Sequence, residues 1–120
     1  MDSRKENIIV DLSFGFALNI ISFTELLEEK RKYVIARQLL KPGTSIGANV
    51  REAQNAESKA DFIHKIKIAL KETDETIYWL SLIEKSDGYP DCKILLDRIS
   101  IIDKVLTKIV STSKNKISQN

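Results

Sequence analysis

Few side chains in this sequence are suited to nucleophilic or metal chemistry, and their spacing does not favour it. The sequence contains one histidine, His64, and one cysteine, Cys92. A di-iron site in a helical bundle needs two Glu-x-x-His pairs and two further carboxylates, whereas the single histidine here follows Asp61 by three residues. No Cys/His partner spacing supports zinc at His64. We therefore predict no metal site and no cofactor.

The remaining chemical groups also favour structural roles. Cys92 follows Asp91, whose charge opposes thiolate formation, so we interpret this cysteine as a small, partly buried residue. The segment GTSIGAN lacks the Gly-Lys-Ser/Thr ending of a phosphate-binding loop. Its polar side chains are expected to hydrogen-bond across helices or subunits, because a buried amide without partners costs about 1–3 kcal/mol. These polar residues are Thr44, Ser45 and Asn49, together with Gln38.

Carboxylates at helical spacing offer a further possibility for acid–base chemistry, but lysines accompany them. Lys71 precedes Glu75 by four residues, and Lys65 shares a helical strip with Glu72. Ion pairing at helix or subunit contacts, which Glu52 can also make, is favoured over catalysis. We therefore expect the protein not to be an enzyme.

Composition indicates one folded, helical domain over residues 1–120. The net charge is +2 and 42% of the residues are hydrophobic, with only four glycines and two prolines. These values argue against disorder and against a many-turned β fold. A single cysteine excludes an intrachain disulfide and no signal-peptide pattern is recognised, so a cytoplasmic protein is expected. Five polar residues interrupt the apolar stretch 8–27, which we expect to be too polar to span a membrane.

Apolar residues at spacings of three and four predict four helices, at about 8–29, 32–56, 59–86 and 91–110, followed by a frayed polar tail at 111–120. The predicted core stripes of the four helices are, in order, Ile9, Leu12, Phe16, Ile20, Phe23 and Leu27; Ile35, Leu39, Ile46, Val50 and Ala53; Phe62, Ile66, Ala69, Leu70, Thr73, Ile77 and Leu80; and Leu95, Ile99, Ile102, Leu106 and Ile109. The Pro42-Gly43 pair favours a break, but the helical phase of the apolar residues is kept through it, so we predict one helix kinked near Pro42. Ser58 and Asp61 resemble a capping box at the start of the third helix. Short turns between long helices predict an all-α, antiparallel up-down-up-down four-helix bundle.

Small residues on the second helix, Gly43 and Gly47, lie beside its apolar stripe and predict that another helix approaches closely. The third helix carries a further strip, about 80° wide, rotated a quarter-turn from its core line. This strip contains Lys65, Ile68, Glu72, Thr76, Trp79 and Ile83. A lone bundle would leave it exposed to water, so we predict that it forms an oligomer interface.

The first helix also has apolar residues away from its main stripe, namely Val10, Phe14, Leu18 and Ile21. Because helices in a tight bundle touch two neighbours, a wide apolar arc can be ordinary core. For Phe14 and Leu18, and for Ile101 on the fourth helix, core and interface are favoured equally. Surplus apolar faces on two helices together predict self-association.

Cations on the second helix form a candidate nucleic-acid-binding set. Arg37, Lys41 and Arg51 fall within about 80° of one another if the helical phase survives Pro42. A ring-shaped oligomer would repeat each cation and strengthen the local field. The alternative is an ordinary solvated face with Glu52 interspersed. No aromatic residue lies among these cations, so stacking on bases is not predicted.

Two segments, QLLKPGTSIGANVREA and SKADFIHKIKIALKETDETIYWLSLI, resemble the four-helix-bundle proteins encoded in 23S rRNA intervening sequences. That family shares its fold with the accessory variability determinant of diversity-generating retroelements. The resemblance covers residues from about 8 to 106 and implies a left-handed bundle that assembles as a homopentamer, with a proposed role in nucleic-acid binding. Where the family usually has Arg and a small residue, this chain has Lys41 and Pro42.

The family motifs carry over to specific positions. The first corresponds to Thr44, Ser45, Ile46, Gly47, Ala48 and Asn49, followed by Glu52, and the second to Ser58, Phe62, Lys65, Ala69, Lys71, Glu72, Glu75, Thr76, Tyr78, Trp79 and Leu80. The resulting prediction is a non-enzymatic homo-oligomeric bundle, a pentamer by resemblance, that acts as a scaffold associated with RNA or DNA. The competing prediction is an oligomeric adaptor that recruits a protein, such as a polymerase or reverse transcriptase, without touching nucleic acid.

Overall fold

The computed structural model describes the backbone of residues 3–119 and the side chains of residues 8–114. This part of the chain forms four α-helices and no strand: α1 (Ser3–Glu29), α2 (Tyr33–Gln54), α3 (Lys59–Lys85) and α4 (Lys93–Gln119). Each helix packs against the next one along the chain, and α4 also packs against α1. The predicted all-α fold with four helices is therefore confirmed.

Two helix boundaries differ by more than two residues from the predicted ones. Helix α1 begins at Ser3 instead of residue 8, and α4 continues to Gln119. The predicted frayed tail is thus wrong over residues 111–119, while residue 120 lies outside the described residues. No glycine or proline follows Pro90 to stop the helix, and Val110 and Ser113 still face the bundle interior.

The core consists of one apolar stripe from each helix. Burying a large aliphatic or aromatic side chain stabilises a fold by about 1.5–3 kcal/mol, and the predicted stripes supply these side chains. The largest fully buried ones are Ile9, Phe16, Ile20, Leu27, Leu39, Ile46, Val50, Ile66, Leu80, Ile99, Ile102 and Leu106.

Helices α1 and α2 approach closely at the two glycines of α2. A Cβ atom at Gly43 would lie 2.9 Å from both Cγ atoms of Ile20. A Cβ atom at Gly47 would lie 3.2 Å from the carbonyl oxygen of Ser13. The predicted close approach is confirmed, and α1 is the helix that makes it. Gly43 contacts Ile20, whereas the later Gly47 contacts the earlier Ser13, so α2 runs antiparallel to α1.

Helix α2 passes through Pro42 without a break. The ring has no N–H to donate, so the carbonyl of Gln38 loses its helical partner. Pro42 and Gly43 are both buried, and the residues on either side of the pair keep a common buried stripe. The prediction of one continuous helix is therefore confirmed.

The polar residues beside this proline bond to their own helix. The hydroxyls of Thr44 and Ser45 donate to the carbonyl oxygens of Leu40 and Lys41, at 2.8 and 2.6 Å. The amide of Asn49 donates to the carbonyl of Ser45 at 2.9 Å. Within one chain these three side chains therefore do not bond across helices, because carbonyls one turn earlier are the nearest acceptors. Bonding across subunits stays a prediction.

Side chains satisfy the first turns of α3 and α4. The Ser58 hydroxyl accepts from the backbone N–H of Asp61 at 3.0 Å, and the Asp61 carboxylate accepts from the N–H of Glu57 at 3.3 Å. This arrangement confirms the predicted capping interaction. At the start of α4, the Asp91 carboxylate accepts from the N–H of Lys93 at 3.1 Å.

The turn between α1 and α2 places a non-glycine residue in the left-handed region. Arg31 has a φ of 64°. Its N–H donates to the carbonyl of Glu28 at 2.9 Å, and the N–H of Lys32 donates to that of Leu27 at 2.8 Å. These two bonds form a Schellman motif, in which glycine is the preferred residue at the position that Arg31 occupies. The ammonium of Lys32 also lies 4.7 Å from the ring centroid of Tyr89, which joins this turn to the α3–α4 turn.

Residues Ile8–Glu29 of α1 are long and apolar enough to cross a membrane by length and composition. The expectation that this stretch is too polar to do so is therefore wrong. Core helices of soluble bundles pass the same test, and the stripe of α1 that contains Phe16 and Ile20 is buried against the other helices. The described residues form an elongated bundle with extents of 53 × 22 × 21 Å.

Replacing Arg31 by glycine should increase the free energy of unfolding by about 0.5–1 kcal/mol, because the left-handed conformation costs an L-residue about 1 kcal/mol. Urea denaturation measures this change. Glu29→Gly is the control, since a glycine inside the last helical turn should instead cost about 1 kcal/mol. Equal effects of both substitutions would contradict the Schellman assignment.

Gly43→Ala should destabilise the protein by about 1–3 kcal/mol, because the new methyl group overlaps Ile20. Gly15→Ala is the matched control: no atom lies within 4 Å of a Cβ there, so the gain in helix propensity should stabilise the protein by about 0.5–1 kcal/mol. Thermal unfolding compares the two variants. If both were stabilising, the close α1–α2 contact would be wrong.

Candidate interaction surfaces

The three predicted cations lie together on the outer face of α2. Arg37, Lys41 and Arg51 are all exposed, and the unbroken helix keeps them within about 80° of one another, over a length of about 21 Å. Among the described residues, none of the three lies within 4 Å of a carboxylate. Their charges are therefore available to an external anion.

Helix α1 exposes a row of large apolar side chains beside these cations, which we name the α1 ridge. It consists of Phe14, Leu18 and Ile21, whose exposed fractions are 57, 52 and 42%. For Phe14 and Leu18 the core alternative is thereby excluded within a single chain. A groove of about 200 Å³ separates the ridge from α2, with Arg51 among its lining residues.

The predicted strip on α3 is only partly accessible. Thr76 and Ile83 are buried. The expectation that a single bundle leaves the whole strip exposed to water is therefore wrong at these two positions. The strip faces α2, as the 3.8 Å ion pair between Lys65 and Glu52 shows. Periodicity placed the strip correctly on α3 but did not reveal that α2 covers it. Ile68, Glu72 and Trp79 remain half-buried.

Trp79 packs against the core but leaves its indole N–H unsatisfied. Nε1 is buried and has no acceptor among the described residues. A buried donor without a partner costs about 1–3 kcal/mol. The ring of Tyr78 lies edge-on to the indole, with 5.2 Å between the centroids and 72° between the planes. The half-buried Trp79 is thus in contact with the exposed Tyr78.

Exposed residues of α3 lie beside the half-buried Glu72 and Trp79 of this strip, and we name the combined surface the α3 edge. It comprises Glu72, Glu75, Tyr78, Trp79 and Leu82. Tyr78 and Leu82 are 57 and 40% exposed. Neither was predicted to be a surface residue. The signal for such a prediction was present, because the two lie four residues apart on the helix face opposite the core stripe. Neither Glu72 nor Glu75 makes an ion pair with a described residue, so pairing with Lys65 and Lys71 is not found within one chain. Ion pairing at a subunit contact stays a prediction.

A third surface lies between α1 and α4, where Ile101 is exposed and a polar bridge between the helices was not predicted. The guanidinium of Arg98 donates a hydrogen bond to the side-chain oxygen of Asn19 and bridges the two helices. Apolar grooves lie on both sides of this bridge, bordered by the exposed Ile101 and Ile94. The apolar periodicity of one helix cannot predict a hydrogen bond between polar residues on two different helices.

Like charges meet across α3 and α4. A hydrogen bond and the charge of Lys114 lower the pKa of Lys67, and burial followed by the charge of Asp74 raises the pKa of Asp103. The α3–α4 side of the bundle therefore carries charged contacts, unlike the apolar surfaces described above.

The groups considered for catalysis do not converge. His64 is exposed, whereas Cys92 is buried and its thiol lies 3.3 Å from the carbonyl oxygen of Leu80. Burial is the main cause that raises the pKa of Cys92, followed by the charges of Glu84 and Asp91. Among the described residues, no three or more His, Cys, Asp or Glu side chains are grouped so that they could hold a metal ion.

This geometry defines a helical bundle with charged and apolar surfaces suited to interaction. The sequence matches the 23S rRNA-intervening sequence protein family over residues 5–108, and the chain belongs to that family. Its fold is similar to a crystal structure from Bacteroides thetaiotaomicron, described as a protein of unknown function from the S23 ribosomal protein family, with a TM-score of 0.85 and 40% identity. The match covers 89% of this chain and 98% of that one. No curated protein matches.

Cys92 should react with a thiol reagent such as Ellman's reagent roughly tenfold or more slowly in the folded protein than in urea, because burial favours the unreactive thiol. The reaction is followed by absorbance at pH 8. Equal rates in the folded and unfolded protein would contradict the buried position of this side chain.

Proposed function

We propose that this protein is a non-enzymatic, cytoplasmic scaffold that assembles from up-down-up-down bundles into a homopentamer and associates with RNA or DNA. The observation that carries this proposal is the set of exposed cations on α2, Arg37, Lys41 and Arg51, none paired with a described carboxylate. Unpaired cations in a row are the groups that bind phosphates.

The apolar surface supports the homo-oligomeric part of the proposal. Three large side chains of the α1 ridge are exposed side by side, and contiguous apolar patches of this kind mark interaction sites on soluble proteins. The number five comes from the resemblance to the family. In a closed ring every cation occurs once per subunit, so a small charge per chain produces a strong local field.

The arrangement of the cations favours contact with the nucleic-acid backbone over contact with bases. The residues between them on the outer face of α2, such as Ser45 and Ala48, are small, and no aromatic ring is available there for stacking. Contacts with phosphates position a protein without selecting a sequence. We therefore expect binding with little sequence preference and a strong dependence on salt.

Fluorescence anisotropy with a structured RNA and a DNA duplex tests this function. Arg37→Glu/Lys41→Glu should weaken binding at least tenfold at low salt. It should also make the plot of log K against log salt less steep, because each lost contact with a duplex phosphate reduces the slope by about 0.9. Lys104→Glu/Lys108→Glu is the matched control, because it makes the same change in charge on exposed positions of α4.

Two results would contradict the proposal. If both double variants weakened binding equally, net charge and not the α2 face would be responsible. If the wild-type protein bound neither nucleic acid at low salt, the alternative function would be favoured, an oligomeric adaptor that recruits a protein such as a polymerase through its apolar surfaces.

A further inference from the structure

We propose that Tyr33 and the two cations that follow it on α2 bind an unpaired stretch of RNA or DNA. One base stacks on the ring of Tyr33, and the adjoining phosphates contact Arg37 and Lys41. The inference rests on the proposed function and deepens it, because it names a single strand instead of a duplex as the preferred ligand.

Tyr33 lies on the same face of α2 as the cations. It is the first residue of the helix, and at 100° per residue it falls within the arc of about 80° that contains Arg37, Lys41 and Arg51. Tyr33, Arg37 and Lys41 follow one another at intervals of four residues, or about 6 Å along the helix axis. The ring precedes the three cations instead of lying between them, so the cation pattern alone did not include it.

The ring of Tyr33 is available to a ligand. Its exposed fraction is 50%, and that of the neighbouring Val34 is 63%. The ring contacts found among the described residues join Tyr78 to Trp79 and the ammonium of Lys32 to Tyr89, and neither involves Tyr33. An exposed ring without such a partner can stack on any base, because every base has a π face.

The charge around the ring selects a polyanion over a protein surface. Exposed cations lie before and after Tyr33, namely Arg31 in the turn and Arg37 in the helix, and neither lies within 4 Å of a described carboxylate. Glu52 is the only acidic residue of α2, and it pairs with a lysine of α3. Two glutamates end α1, but three cations follow them at 30–32. Since the cores of protein interfaces are depleted of charged residues, a chain of phosphates fits this surface better than a protein.

The combination of one ring with a row of cations suits an unpaired strand. In a duplex each base is paired and stacked between its neighbours, and taking it out of the stack costs free energy. Bases of single strands and loops can be splayed out onto aromatic rings while the backbone follows a basic surface. Tyr33 and the cations on the next two turns offer both contacts, so a single strand should bind more tightly than a duplex of the same length.

Fluorescence anisotropy with normal and abasic single strands tests the stacking. Oligo(U) and oligo(dT) present bases and phosphates, whereas an abasic strand of the same length presents phosphates without bases. Tyr33→Ala should weaken binding of the normal strands about tenfold and leave binding of the abasic strand unchanged, because only the normal strands stack. The tighter of the two normal strands identifies RNA or DNA as the ligand.

Two further variants serve as controls. Tyr33→Phe keeps the ring and should bind every strand like the wild type. Tyr78→Ala removes a tyrosine of similar exposure, 57%, from α3 and should also bind like the wild type. Circular dichroism verifies that each variant is folded.

The outcomes separate this inference from the proposed function. If Tyr33→Ala weakened the binding of normal and abasic strands equally, the ring would not stack on a base and the inference would be wrong. If Tyr33→Ala left all binding unchanged while Arg37→Glu/Lys41→Glu weakened it, the stacking site would be wrong and the proposed function would stand. A wild-type protein that bound neither single strands nor duplexes at low salt would overturn both.

Discussion

The close packing of α1 on α2 is the constraint on which the other features of this molecule depend. Gly43 and Gly47 leave no room for a side chain, so Ile20 and the backbone of Ser13 lie directly on α2. This contact fixes the rotation of α1 about its own axis. The stripe containing Phe16 and Ile20 turns into the core, and Phe14, Leu18 and Ile21 turn outward. The ridge is therefore a consequence of the same contact that forms the core.

The same contact relates the two kinds of surface to each other. Because α2 lies so close to α1, one of its outer cations, Arg51, lines the groove beside the apolar ridge. Pro42 does not disturb this relation, because α2 continues through it in one helical phase. An apolar ridge suits contact with protein, whereas unpaired cations suit contact with phosphate.

Periodicity was sufficient to predict the number of helices, the core stripe of each and the continuity of α2 through Pro42. It failed where the outcome depended on the neighbouring helix. Thr76 and Ile83 lie on the predicted strip of α3, yet α2 covers them, because a helical pattern gives an angle about one axis and not the position of the next axis. The α1–α4 bridge between Asn19 and Arg98 was missed for the same reason. The tail after residue 110 was wrongly predicted to be frayed because its residues are polar, although Ser113 is buried.

The central claim is that one bundle cannot cover its own apolar surface and does so against copies of itself. Sedimentation equilibrium of the unmodified protein over a wide range of concentrations tests it most directly. The account predicts a single species several times heavier than one chain, stable on dilution. A species with the mass of one chain at every concentration would contradict the account.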